Sequence, residues 1–150
     1  MNSIHIRRLG VADRELARTT FTMMSHVFEE DAAPLSDDYL DRLLAREDVW
    51  AFAALVGGSD TDTVGGLVAH TLPMTRDESS EIFIYDLAVR ADHQRGGVGR
   101  RLVDALRGAA AKIGITVVFV PADDEDQHAL DFYRAIGGSP SPVTFFTFGE

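Results

Sequence analysis

The chain has 150 residues, and 14 Lys and Arg against 24 Asp and Glu leave a net charge of −10. At roughly 100–200 residues a domain, that length makes one domain, 1–150, and a mixture of 45% apolar and 25% charged residues excludes disorder along the whole chain. The acid excess argues against nucleic acid, and the absence of cysteine removes disulfides, thiolate metal sites and cysteine nucleophiles together.

In chain order, Ser3 to Arg8 alternates Ile4 and Ile6 with polar residues and reads as a first strand. The same stretch has His5, Arg7 and Arg8 and no apolar h-region, and nowhere do the roughly 18 apolar residues of a membrane helix occur in a row. A soluble cytoplasmic protein without a membrane partner is expected. Asp13 can cap a helix with the stripe Ala17, Phe21, Met24 and Phe28, and Ser36 a second with Leu40, Leu43 and Leu44. Val49 to Val56 and Val64 to Leu72 read as an antiparallel pair joined by a loose hairpin from Gly57 to Thr63.

Glu81 to Val89 is the next strand, with Phe83, Tyr85, Leu87 and Val89 expected on one face and Ile82, Ile84 and Asp86 on the other. A glycine-rich turn leads into a helix, Val98 to Lys112, striped by Leu102, Leu106, Ala109 and Ile113 and stopped by Gly114. Thr116 to Val120 reads as a strand buried on both faces, Gln127 to Ala135 as a last helix, and Val143 to Phe148 as a final strand. Strand, helix, strand across Glu81 to Val120 implies two parallel neighbours inside an otherwise antiparallel sheet, an α/β architecture.

The turn Gln94-Arg95-Gly96-Gly97-Val98-Gly99-Arg100-Arg101 carries the clearest chemistry. Glycines let backbone N–H groups converge, the helix start adds unpaired amides and a positive dipole end, and Arg95, Arg100 and Arg101 add charge. That is an anion site of a kind suited to a pyrophosphate. A nucleotide-binding lysine loop is excluded, because Lys112 is the only lysine in the chain, and a dinucleotide fingerprint would need glycine at Leu102. The five histidines show no paired metal spacing, so no metal is expected, and Trp50 reads as core.

Gln94-Arg95-Gly96-Gly97-Val98-Gly99 resembles the Gln/Arg-x-x-Gly-x-Gly/Ala signature of the GNAT acetyltransferases, and Ala129 to Gly137, around Tyr133, is similar to a second feature of that superfamily. Ser80 to Val89, with Ala122-Asp123, resembles more narrowly the gentamicin-type aminoglycoside 3-N-acetyltransferases; weaker similarity includes Arg8-Leu9-Gly10 and Tyr39-Leu40. The resemblance implies a GNAT fold, a mixed, mostly antiparallel sheet of six to seven strands splayed at a central parallel pair and flanked by about four helices. It implies acetyl-CoA as cosubstrate, its pyrophosphate held by Gln94, Arg95, Gly96, Gly97, Val98, Gly99 and Arg100 and its pantetheine arm by the backbone of Leu87, Ala88 and Val89. Asp86 would be the base, Tyr133 the acid for the departing thiolate, and superfamily habit suggests a homodimer.

On the acceptor side, Tyr85 and Asp86, the run Asp123, Asp124, Glu125 and Asp126, and Glu29 and Glu30 within the acidic stretch Glu29, Glu30, Asp31, Asp37 and Asp38 would attract a polycationic amine. The same acids can equally cap helices or sit in solvated loops. Pro121, His128 and a last strand lacking an acid depart from the family pattern, all on the acceptor side. The expected activity is direct transfer of an acetyl group, in a ternary complex, to a primary amine of an aminoglycoside, with a polyamine or protein amine as the alternative acceptor. A non-catalytic acyl-CoA-binding module is the alternative of a different class.

Overall fold

A computed structural model describes residues 3–30, 32–57 and 62–149. It divides into two compact units, Met1–Val120 and Pro121–Glu150. The first unit runs β1 (Ile4–Arg8), α1 (Arg14–Val27), α2 (Asp37–Leu44), β2 (Val49–Val56), β3 (Thr63–Pro73), β4 (Ser80–Val89), a short 3-10 turn (Ala91–His93), α3 (Val98–Lys112) and β5 (Val118–Phe119). The second holds α4 (Gln127–Ala135).

One sheet has the strand order β1-β2-β3-β4-β5. The first four strands are antiparallel neighbours and β5 joins β4 in parallel. The sheet therefore has five strands, not six to seven, and the parallel pair lies at its edge, not its centre. Two readings account for the difference. Val143 to Phe148 joins no strand among the described residues, and Phe145, Phe146 and Phe148 are exposed, the last at 95%. Thr116 to Val120 contracts to a two-residue strand, with Val117 and Phe119 exposed, so it is not buried on both faces. Apolar alternation marks an extended chain, but a strand also needs a partner to pair with, and Pro121, with no N–H to donate, ends β5. The hairpin residues Gly58 to Thr61, like Asp31, lie outside the described residues.

Helix ends follow local chemistry in most places. Ser36 accepts from the Tyr39 N–H at 3.2 Å and starts α2, and Gly114, at φ +84°, follows the end of α3. Asp13 differs from expectation. Its carboxylate does not cap α1 but accepts from the Gly10 N–H at 2.8 Å and from Arg7 at 2.5 Å. Trp50 is core, with its indole N–H on Thr71 Oγ1 at 2.7 Å and Arg8 over its ring.

Adjacent glycines in β3 let helices approach from opposite faces. A Cβ on Gly65 would sit 3.0 Å from Val98 and 3.2 Å from Leu102 of α3, and one on Gly66 would sit 2.5 Å from Met24 Sδ and 2.9 Å from Thr20 Cγ2 of α1. Successive strand residues face opposite sides, so α1 covers one face of the sheet and α3 the other. Leu16, Ala17, Leu40, Leu44, Ala51 and Ala53 form a core cluster on the α1 face.

Thr20 cannot give way easily, because it is fully buried and its hydroxyl donates to the Leu16 carbonyl at 2.8 Å. Gly66→Ala should therefore cost about 1–3 kcal/mol through overpacking. A urea midpoint equal to that of the unmodified protein would show that the close approach to α1 is not tight.

Candidate functional site

The site begins with an irregularity in β4. Cross-strand partners run Leu67↔Leu87 and Val68↔Asp86, then jump to Ala69↔Ile84 and His70↔Phe83, leaving Tyr85 as an extra residue on β4. Directly opposed residues share a face. Gly66, Val68 and His70 alternate onto the α1 face, and Asp86 and Phe83 go with them. Tyr85 lies there as well, its ring 6.3 Å edge-on from His70 and 5.8 Å from Phe83. Phe119 extends the row, 5.1 Å from Phe83.

This corrects the face assignment made from simple alternation. Asp86 does not share a face with Ile82 and Ile84; it shares one with Phe83 and Tyr85, while Leu87 and Val89 move to the α3 face. The extra residue of a bulge shifts the phase of everything after it. Burial along β4 does not reveal the shift, because its buried residues, Ile82, Ile84 and Ala88, all have the same parity.

Half-buried Asp86 holds its proton to higher pH than an ordinary aspartate. Burial is the main cause, the negative charge of Glu30 adds to it, and His70 opposes it. Glu30 lies just past α1, where Glu29 at φ +58° turns the chain and the Glu30 N–H donates to the Ser25 carbonyl at 2.9 Å. The structure thus places Glu30 where its charge acts on Asp86. Asp37 and Asp38 are engaged elsewhere: Asp37 pairs with Arg14 and Arg18, Asp38 with Arg42. His70 was not singled out by motif, because only the register places it opposite Phe83.

The other edge of β4 is open. Pairing with β5 covers Ile82 and Phe83 only, so among the described residues the β5 side of Ile84 to Val89 has no strand partner. Leu87, Ala88 and Val89 lie in this stretch without a partner on the β5 side. Gln94 ties its far end down, donating its side-chain N–H to the Val89 carbonyl at 3.0 Å.

Beyond it, Arg95 (φ +66°) and Gly97 (φ +83°) take left-handed conformations that wrap the chain into α3. No side chain caps α3, no acid occupies its first turn, and its first bond runs from the Arg101 N–H to the Gly97 carbonyl at 3.0 Å. The amides of Val98, Gly99 and Arg100 precede that bond and remain for an anion. Arg95 and Arg100 are exposed at this turn. Arg101 turns away, its guanidinium donating to the Ile4 carbonyl of β1 at 2.6 Å.

In the second unit, Asp123 accepts from the Glu125 N–H at 2.9 Å and Asp126 caps α4 by accepting from Ala129 at 3.0 Å. Asp124 and Glu125 are exposed. Tyr133 packs its ring 5.1 Å from Phe132. Burial and the charge of Asp126 push its hydroxyl up to about 12, so it keeps its proton at neutral pH. Among the described residues no group of three or more His, Asp and Glu gathers as metal ligands, and no helix is long and apolar enough to cross a membrane.

A five-stranded sheet whose last strand covers only two residues of β4 thus leads directly into an uncapped, glycine-wrapped helix start. The Acetyltransferase (GNAT) family profile matches residues 14–137, and the chain belongs to that family, which uses acetyl-CoA. Solved structures similar to it include the aminoglycoside acetyltransferase meta-AAC0020 from an uncultured soil metagenomic sample. In complex with trehalose it is 31% identical, with 98% of this chain and 96% of that one covered and a TM-score of 0.91; the same enzyme is also solved with sisomicin. A second soil-metagenome aminoglycoside acetyltransferase, HMB0005, is 30% identical over 99% of each chain, with a TM-score of 0.88. The aminoglycoside N-acetyltransferase AAC(6')-Iy in complex with CoA, 16% identical with 99% of this chain and 96% of that one covered and a TM-score of 0.78, shares the fold. No curated protein matches the chain.

Because the folded state disfavours a charged Asp86, that carboxylate destabilises the protein once pH exceeds its raised pKa. Asp86→Asn should raise the melting temperature at pH 7. The gain should shrink toward zero as pH falls below the ordinary carboxylate range, where the unmodified side chain is neutral too. Melting curves from pH 3 to pH 8 check this, and a gain that does not change with pH would contradict it.

Proposed function

We propose that the chain is a single acetyltransferase domain that moves an acetyl group from acetyl-CoA to a primary amine of an aminoglycoside, the 3-amine of a gentamicin-like compound, by direct transfer in a ternary complex. The observation that carries the acceptor assignment is the likeness, over 98% of the chain, to an enzyme solved with sisomicin, combined with an Asp86 that a bulge turns toward Glu30 and an aromatic row. The 3-N position follows the resemblance of Ser80 to Val89, and a cytoplasmic homodimer remains the expected setting.

Acetyl-CoA supplies its acyl group as a thioester, already activated toward an amine. The amides at the start of α3, with Arg95 and Arg100, suit its pyrophosphate, and the unpaired edge at Leu87, Ala88 and Val89 offers backbone groups to its extended arm. Asp86 takes the proton that the acceptor amine must lose before it attacks. Its raised pKa makes it a stronger base than an ordinary aspartate. By the family resemblance Tyr133, whose raised pKa keeps it protonated at neutral pH, is the acid for the departing sulfur. Glu29 and Glu30, together with Tyr85, receive the other ammonium groups and the ring face of the acceptor.

Asp86→Asn should leave acetyl-CoA affinity within about twofold and lower turnover by roughly 100-fold or more, the usual worth of a general base. Its acid limb in the pH–rate profile should vanish. The panel is gentamicin, sisomicin, spermidine and a basic peptide, read by CoA thiol release and product mapping. Acetylation of spermidine or the peptide alone would move the assignment to the alternative acceptors, and no thiol release with any of them would leave a CoA-binding module.

Gly97→Trp should weaken acetyl-CoA binding at least tenfold. A Cβ there meets nothing within 4 Å, so the added ring projects into the space an anion would occupy, although φ +83° adds strain. Calorimetric binding beside a melting curve separates the two effects, and retained affinity would remove the pyrophosphate assignment from this turn.

A further inference from the structure

Three aromatic rings of the first unit stand side by side on the sheet face that carries Asp86. Phe83 is in register with Phe119 of β5, and their ring centroids lie 5.1 Å apart at an interplanar angle of 90°. Tyr85, the bulge residue, adds a third ring 5.8 Å from Phe83 at 41°. His70 backs Tyr85 edge-on from β3. Single apolar side chains on a surface need no account, but these are contiguous, and Tyr85 is 67% and Phe119 39% exposed. Because Phe119 stands perpendicular to Phe83, the row forms a corner, not a flat shelf. Carboxylates bracket it along β4. Asp86 follows Tyr85, and Glu81, opposite Leu72, falls on the same face beyond Phe83.

An apolar surface with an acid at each end suits a ligand that is apolar on its faces and cationic at its rim. A saturated six-membered ring with equatorial amino groups has that form: its axial C–H groups point up and down, its ammonium groups outward. A linear polyamine carries charge at intervals but has no face to lay down. We propose that Tyr85, Phe83 and Phe119 are a stacking platform for successive saturated rings of the acceptor. Phe119 is its specificity-determining residue, reading the ring next to the one that presents its amine to Asp86. This rests on the aminoglycoside reading above and deepens it, since it requires an acceptor of two or more rings. Glu81 then answers an ammonium group on the second ring.

The test measures dissociation constants of gentamicin and of spermidine by calorimetry, with CoA present, for the unmodified protein, Phe119→Leu and Phe119→Tyr. Each titration is made at about 0.05 and 0.5 M salt, and melting curves set its temperature below every midpoint, so that unfolding does not pass for lost stacking. Phe119→Leu should weaken gentamicin roughly fivefold, the worth of one aromatic contact. The factor should be the same at both salt concentrations, because screening acts on the acids and not on the ring. Phe119→Tyr, which keeps a ring, should bind gentamicin within about twofold of the unmodified protein. Spermidine should change less than twofold in either variant, or bind too weakly in all three to register. An unchanged gentamicin constant in Phe119→Leu overturns the platform. So does an equal loss for spermidine, or a loss that Phe119→Tyr shares. If gentamicin fails to bind the unmodified protein at either salt concentration, the aminoglycoside reading falls and the platform with it; if it binds and Phe119→Leu makes no difference, the platform alone falls.

Discussion

Tyr85 is one residue too many for β4, and the placement of Asp86 follows from that. Without the extra residue, strict alternation would place Asp86 on the α3 face with Ile82 and Ile84, in a layer of side chains buried at 0% and 1% exposure. A carboxylate in such a layer would be neutral or would break the packing. The bulge moves it to the α1 face, half-buried among Phe83, Tyr85 and His70, where it is desolvated enough to hold a proton more tightly and open enough to exchange it. The same shift sends Leu87 and Val89, each half-buried, to the α3 face. A single insertion in register thus separates a half-buried carboxylate from the packed isoleucines.

The second constraint is the length of β5. A parallel neighbour of five or six residues would saturate the edge of β4 along its whole length; a two-residue strand covers Ile82 and Phe83 and leaves the rest. Backbone groups that must be satisfied are then available to an extended ligand. Gly65 completes the arrangement from the other side, because its missing side chain lets Val98 and Leu102 settle on β3 and brings the uncapped start of α3 beside the end of β4. Gln94 fixes the turn between them through the Val89 carbonyl. The open edge and the uncapped helix start are therefore consecutive in the chain.

Much of this was legible in residue patterns. The four α-helices among the described residues lie close to where their apolar stripes put them, since that signal is local and helices satisfy their own backbone, although α1 and α3 start without a side-chain cap. The glycine turn was legible for the same reason: left-handed φ at Gly97 and an uncapped helix start are properties of a few adjacent residues. What failed depended on partners far away in the chain. Val143 to Phe148 has the composition of a strand and no ladder, and the face of Asp86 depends on which residue of β3 it opposes. His70 went unnoticed because nothing in its neighbours along the chain sets it apart; only pairing with β4 brings it to Tyr85.

The net charge of −10 also looks different once partners are known. Glu15, Asp37 and Asp41 answer Arg14 and Arg18, Asp48 answers Arg46, and Asp62 and Asp92 answer Arg90, so a large share of the acids serves exposed ion pairs worth little each. Asp13 and Asp126 are used by backbone amides. A count of acids therefore overstates the field offered to a cation. Asp86 differs in kind, because neither an arginine nor a hydrogen bond accounts for its state; burial and Glu30 both work against its charge. A cation placed beside Asp86 would supply the missing counter-charge, so binding of a cation there and ionisation of Asp86 would be one coupled event.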